Sequence, residues 1–122
     1  MKVLKFEDMK VWQDARLFVQ KIYKITENAQ FKKNYSFREQ IQKASISIMN
    51  NIAEGYERDS NKELIKFLSY SKGSSGELRN MLYIALDLKY ISQEEFQELL
   101  EMNLSISKQL SNFIKYLKNR NK

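Results

Sequence analysis

A chain of 122 residues with no internal break in composition has the length of one domain, enough to bury a core without disulfide or metal staples. It carries 21 lysines and arginines against 15 acidic residues, a net charge of +6, and has neither histidine nor cysteine. That inventory excludes disulfides, thiolate and imidazole metal sites, cysteine nucleophiles and the commonest general base, while the basic balance favours anionic partners such as nucleic acid or a membrane surface.

There is no proline, and the three glycines are Gly55, Gly73 and Gly76, so long helices are permitted almost throughout. Met1–Lys5 is not followed by an apolar core of signal-peptide length, and no run of about 18 apolar residues occurs. The expectation is a cytoplasmic protein without a membrane partner.

The first helix, at about residues 9–27, places Val11, Trp12, Ala15, Phe18, Val19, Ile22 and Ile25 on one side at three- and four-residue steps, with Asp8 as the expected N-cap. Residues 1–34 hold 8 basic and 4 acidic side chains, so the charge excess falls on this helix and the stretch after it. Asn28–Tyr35 loses the period and reads as a connection. Ser36-Phe37-Arg38-Glu39 then has capping-box spacing and should open the second helix, at about 37–57.

That helix bears two apolar stripes: Phe37, Ile41, Ala44, Ile48 and Ile52, and, offset from it, Ile46, Met49, Ala53 and Tyr56. Two stripes imply cover from both sides, so the second is the candidate subunit contact, with Ile65, Ile84 and Leu86 of the next helix as possible additions. The competing reading is interior packing. Gly55 is placed to end the helix in a left-handed conformation, the alternative being a helix that runs on through Tyr56 to Arg58.

A second capping box, Ser60-Asn61-Lys62-Glu63, starts a third helix at about 61–88 that returns antiparallel. Its stripe, Leu64, Phe67, Leu68, Leu78, Met81, Leu82, Ala85 and Leu88, is interrupted by Ser69, Ser71, Gly73, Ser74, Ser75 and Gly76. A turn centred near residue 59 sets Ser47 opposite Ser71 and Ala44 opposite Ser74, so small residues meet small residues and the helices approach closely. The two mid-helix glycines are assigned to that approach.

Ser92-Gln93-Glu94-Glu95 is a third box, and the last helix, at about 93–119, carries Phe96, Leu99, Leu100, Asn103, Ile106, Leu110, Phe113, Ile114 and Leu117. Its acids, Glu94, Glu95, Glu98 and Glu101, come early and its cations, Lys108, Lys115, Lys118 and Arg120, late, which complements the helix dipole. The Asn119–Lys122 tail is expected to fray. The expected fold class is therefore all-α, one antiparallel up-down-up-down four-helix bundle spanning residues 1–122.

The segments Phe6-Glu7-Asp8-Met9-Lys10-Val11-Trp12, Ser47-Ile48, Asn51-Ile52-Ala53-Glu54-Gly55, Phe67-Leu68, Gly73-Ser74, Glu77-Leu78 and Tyr90-Ile91, with Arg58, Ser60 and Glu63, form a recognisable set. In them the chain resembles a known family, the small four-helix-bundle proteins encoded in intervening sequences of bacterial 23S ribosomal RNA genes. The Asn-Ile-Ala-Glu-Gly block together with Gly-Ser-x-x-Glu-Leu is fairly specific. The resemblance implies a bundle that assembles as a ring, a homopentamer in relatives, and no known reaction. A related protein is the accessory variability determinant of diversity-generating retroelements, which works with a reverse transcriptase and nucleic acid. Met49-Asn50 stands where the family usually has Pro-Ser, which removes a kink from the second helix.

Asn50, Asn51, Glu54 and Glu77 are the polar residues that most resemble catalytic groups. Glu54 and Glu77 fall roughly 20 Å apart along the hairpin, too far for paired-carboxylate hydrolysis. Asn51, Glu54, Ser74 and Glu77 therefore read as structural polar residues, with no catalytic residue, metal or cofactor. The nucleic-acid candidates are Arg58, Lys62, Lys66, Lys72 and Arg79 of the hairpin, interleaved with Tyr56, Tyr70 and Tyr83, and Lys10, Arg16, Lys21, Lys24, Lys32 and Lys33 near the start. For each the competing reading is a solvated face. The function expected is a non-enzymatic, oligomeric bundle binding RNA or a ribonucleoprotein; the alternative is a scaffold presenting helices to a partner enzyme.

Overall fold

The computed structural model describes residues 5–120. The start at Met1–Leu4 and the last two residues of the tail, Asn121 and Lys122, lie outside them. A 3₁₀ turn, Phe6–Asp8, leads into α1 (Lys10–Ile25), a short α2 (Ala29–Lys33), and then α3 (Tyr35–Glu57), α4 (Asn61–Asp87) and α5 (Gln93–Arg120). Among the described residues there is no strand.

The four long helices pack in a cycle, α1 on α3, α3 on α4, α4 on α5 and α5 on α1. Cross-helix bonds show that α3 and α4, and likewise α1 and α5, run in opposite directions. On α3 and α4, Ser47 meets Ser74 while Ser71 reaches Ile48; on α1 and α5, Lys21 pairs with Glu98 while Asp14 meets Gln109. The core between them contains Ala15, Phe18, Ile22, Ile41, Ile48, Ile52, Leu68, Leu78, Leu82, Leu99, Ile106 and Leu110, all essentially inaccessible. Each such large side chain contributes about 1.5–3 kcal/mol on burial, which is what holds helices of modest intrinsic propensity in place.

Four local expectations are corrected. Asp8 does not cap α1, because it lies inside the 3₁₀ turn; the N-cap is Met9, whose side chain makes no capping bond. The first predicted box is displaced: α3 opens at Tyr35 with Asn34 as its cap, the Asn34 side chain accepting from the Phe37 N–H at 3.3 Å. Ser36 is thereby inside the helix, and Glu39 turns to Lys43 at 3.0 Å and to the Tyr35 hydroxyl, which together hold its carboxyl below the usual range. Gly55 does not end α3, which takes the alternative course and runs on to Glu57 with Arg58 as its C-cap; Asp59, with φ of 55°, takes the left-handed position, and Gly55 is buried in helix. Finally, a Cβ on Gly55 would lie 2.8 Å from the Phe67 Cβ, whereas one on Gly73 or Gly76 would meet nothing within 4 Å. Close helix approach thus requires Gly55 and does not explain the other two.

The third box is complete, and the second is half formed: Ser60 caps α4, while the Glu63 carboxylate pairs with Arg58 and Lys66. Ser60 accepts from the Glu63 N–H at 3.3 Å. Ser92 and Glu95 exchange both bonds, at 2.8 and 3.0 Å.

The segment read as a plain connection contains α2, capped by Asn28, whose side chain accepts from Phe31 N–H at 2.9 Å. Phe31 is fully buried and packs with Phe37 and Tyr90 at centroid distances of 5.2–5.8 Å. Asn28 also donates to the Tyr90 carbonyl at 2.9 Å, and Asn34 donates to the Tyr90 hydroxyl at 3.2 Å. This end of the bundle is closed by aromatic packing and by bonds between the two connections.

Candidate nucleic-acid interface

The hairpin candidates divide according to their partners. Arg58 lies 2.8 Å from Glu54 and 3.7 Å from Glu63, Lys66 lies 3.5 Å from Glu63, and both cations sit over the Phe67 ring at 5.0 and 5.3 Å. Their positive charge is balanced locally, so neither is fully available to a phosphate. Lys62, Lys72 and Arg79 have no ion pair among the described residues. Of the interleaved tyrosines, Tyr70 and Tyr83 are exposed, whereas Tyr56 packs against the core.

In the first-helix patch two of the six cations, Lys10 and Lys21, have acidic partners, while Arg16, Lys24, Lys32 and Lys33 make no ion pair among the described residues. Lys10 bonds Asp14 at 2.7 Å and Lys21 bonds Glu98 at 3.2 Å. Partial burial pushes the Asp14 carboxyl up, but hydrogen bonds from Lys10 and Gln109 outweigh it and leave the group below the usual aspartate range. Arg16 stacks over Trp12 at 5.8 Å. Lys24 lines a cleft whose other charged residues are Lys21, Glu95 and Glu98. Lys32 and Lys33 are exposed on α2, away from this cleft's lining.

A different cluster emerges on the α4–α5 seam. Lys72 of α4 and Lys115 and Lys118 of α5, with Ser111, Ile114 and Asn119, line a groove of about 400 Å³. None of the three lysines makes an ion pair among the described residues. Three like charges around one concavity raise its positive potential and favour an anion seated between them. In the sequence, Lys115 and Lys118 stand out only as complements of the helix dipole. Counting outward from the α4–α5 turn, as for the preceding hairpin, would have set the N-terminal part of α4 against the C-terminal part of α5.

The remaining polar candidates make bonds within the chain. Asn51 donates to the Ser47 carbonyl at 2.8 Å and to its hydroxyl at 3.0 Å, and the Ser47 and Ser74 hydroxyls lie 2.8 Å apart. The Ser47 hydroxyl therefore meets Ser74, three residues from the expected Ser71, while Ser71 donates to the Ile48 carbonyl at 2.8 Å, one residue from the expected pairing. Glu54 pairs with Arg58, and Glu77 and Asn50 are exposed. Of the second stripe of α3, Met49 and Tyr56 pack on the core of their own chain and Ile46 and Ala53 are half-buried. Ile65 and Leu86 also pack on the core, while Ile84 is exposed. No group of acidic side chains that could hold a metal occurs among the described residues, and no helix there is long and apolar enough to cross a membrane.

With this geometry in view, comparison with known families is decisive for kinship. Residues 7–112 match the 23S rRNA-intervening sequence protein family. The chain belongs to that family. A crystal structure of a protein with unknown function from the S23 ribosomal protein family of Bacteroides thetaiotaomicron is similar, with a TM-score of 0.79 and 26% identity. The match covers 86% of this chain and 98% of that one, so the intervening-sequence fold extends over nearly all of the solved relative. No curated protein matches.

Proposed function

We propose that this intervening-sequence protein is a non-enzymatic, oligomeric, cytoplasmic bundle that binds nucleic acid through phosphate contacts, with RNA as the first ligand to test. The observation that carries the reading is the α4–α5 groove, where Lys72, Lys115 and Lys118 converge without an acidic partner among the described residues. Phosphates are the complementary charge, and their contacts need no sequence-specific base reading. Lys62 and Arg79 extend the same positive field along α4. Repetition in an oligomer, a homopentamer by family resemblance, adds avidity when several grooves engage one strand.

The experiment is a gel-mobility titration of the full chain with structured RNA at about 50 mM salt, repeated with Lys72, Lys115 and Lys118 reversed to glutamate. Retardation that disappears in the triple variant supports the reading. Wild-type protein that fails to shift RNA at that salt would end it.

A second reading, a scaffold for a partner protein, draws on the α1–α5 seam, on the other side of α5. Leu17 of α1 is 55% exposed and, with Met102 and Ile106 of α5, lines a mainly apolar concavity bordered by Asp14 and Glu101. In that case a Leu17→Lys variant loses a partner in pull-down while RNA retention is unchanged.

A further inference from the structure

Two glycines in the interior of α4 weaken that helix relative to alanine, and nothing in the chain accounts for them. The space beside Gly73 and Gly76 is open. Glycine is also the residue found where another backbone must come close, and outside the bundle that backbone belongs to a ligand.

Gly76 has informative neighbours. Positions 72, 76, 79 and 83 follow the four- and three-residue steps that keep to one face of a helix. Lys72 borders the groove with α5, and the Tyr83 ring meets Phe96 of α5 edge-on, with centroids 4.9 Å apart at 64°. Both ends of this row therefore lie on the α4–α5 seam, with Gly76 and Arg79 between them. Eleven residues of helix separate Lys72 from Tyr83, roughly 16 Å. Tyr83 is 50% exposed even though Phe96 holds one edge, so a fixed ring presents open surface.

We infer that this row is the track of a single-stranded polynucleotide. Its phosphates lie on Lys115, Lys118, Lys72 and Arg79, its backbone passes over Gly76, and a base stacks on Tyr83. The inference rests on the nucleic-acid reading above and adds strandedness and path. A duplex keeps its bases paired and stacked on one another, so it has no base face to offer an aromatic side chain; an unpaired strand does. Phosphate contacts along a groove joined to a stacking ring are the combination that single strands use without sequence preference.

The test is fluorescence anisotropy of the full chain, at low salt, with one labelled oligonucleotide sequence as single-stranded RNA, single-stranded DNA and RNA duplex. The expected result is tighter binding of a single strand than of the duplex, with the preferred sugar naming the natural ligand class. Tyr83→Ala is expected to weaken single-strand binding roughly 5- to 150-fold, while Tyr83→Phe retains it. Gly76→Gln is expected to weaken it as well without lowering the thermal midpoint, which separates a blocked track from a damaged fold. Equal affinity for duplex and single strand, or binding indifferent to Tyr83→Ala and Gly76→Gln, overturns the track. If binding is indifferent to these two but lost on reversal of the three lysines, the broader reading survives; if the wild type binds no oligonucleotide, both fall.

Discussion

The Ser47 hydroxyl on α3 and the Ser74 hydroxyl on α4 lie 2.8 Å apart, half-buried, with the Asn51 amide bonding the Ser47 oxygen from one turn away. The hairpin is thus joined by a short polar chain where most bundles would use leucine. Ser47→Ala and Ser74→Ala are each expected to cost about 0.5–1.5 kcal/mol, the net worth of an ordinary hydrogen bond. The double variant should cost less than the sum, because the bond is lost only once. Urea denaturation of the four proteins measures the coupling, and strict additivity would mean the pair contributes nothing.

Glycines of the same hairpin should respond in opposite directions. Gly55→Ala forces a Cβ against the Phe67 Cβ and the Leu64 side chain, so α3 and α4 must separate, at a cost of about 1–3 kcal/mol. Gly76→Ala meets open space and gains helix propensity, a stabilisation of about 0.5–1 kcal/mol. Thermal melts read both. A stable Gly55→Ala variant would show that the hairpin is looser than its geometry implies.

Asp14 supplies a pH signature. Its carboxyl is held below the usual aspartate range in the folded chain, partial burial being outweighed by the bonds from Lys10 and Gln109. The ionised form is therefore favoured by folding, and this contribution is fully present above the ordinary aspartate pKa. It is lost as the pH falls through the lowered native value. Asp14→Asn should be less stable than wild type at pH 7, and the gap should close as the pH falls below the lowered native value. A gap that persists in acid would assign the effect to packing.

Salt dependence distinguishes phosphate contact from general attraction. Each of Lys72, Lys115 and Lys118 that touches a phosphate should, when changed to glutamine, reduce the slope of log affinity against log salt by roughly 0.7–0.9. Lys10→Gln should leave the slope nearly unchanged, since Lys10 is engaged by Asp14. Equal effects from all four would place the contacts elsewhere.

Helical periodicity made the four long elements legible almost to their ends, because α1 and α5 keep strict apolar stripes and Ser60 and Ser92 cap in register with Glu63 and Glu95. Two of the failures share a cause. At Asn34 against Ser36, and at Gly55 against Asp59, two residues within about a turn of each other offered similar local chemistry, and tertiary packing chose between them. Helix α2 was missed because five residues are too few to show a period; its stability comes from burying Phe31 against Phe37 and Tyr90. For the candidate site, formal charge named Lys72 but could not foresee that Arg58, Lys66, Lys10 and Lys21 would find acids, or that Lys115 and Lys118 would stand across from it.

The bonds that Asn28 and Asn34 make to Tyr90 tie the α1–α3 connection to the α4–α5 connection. One tyrosine thus serves both connections, through its carbonyl and through its hydroxyl. Amides around Phe31 and Tyr90 should exchange among the slowest in the chain, and Tyr90→Phe, which removes only the hydroxyl, should loosen the Asn34 side of the connection while the bond from Asn28 to the Tyr90 carbonyl stays in place.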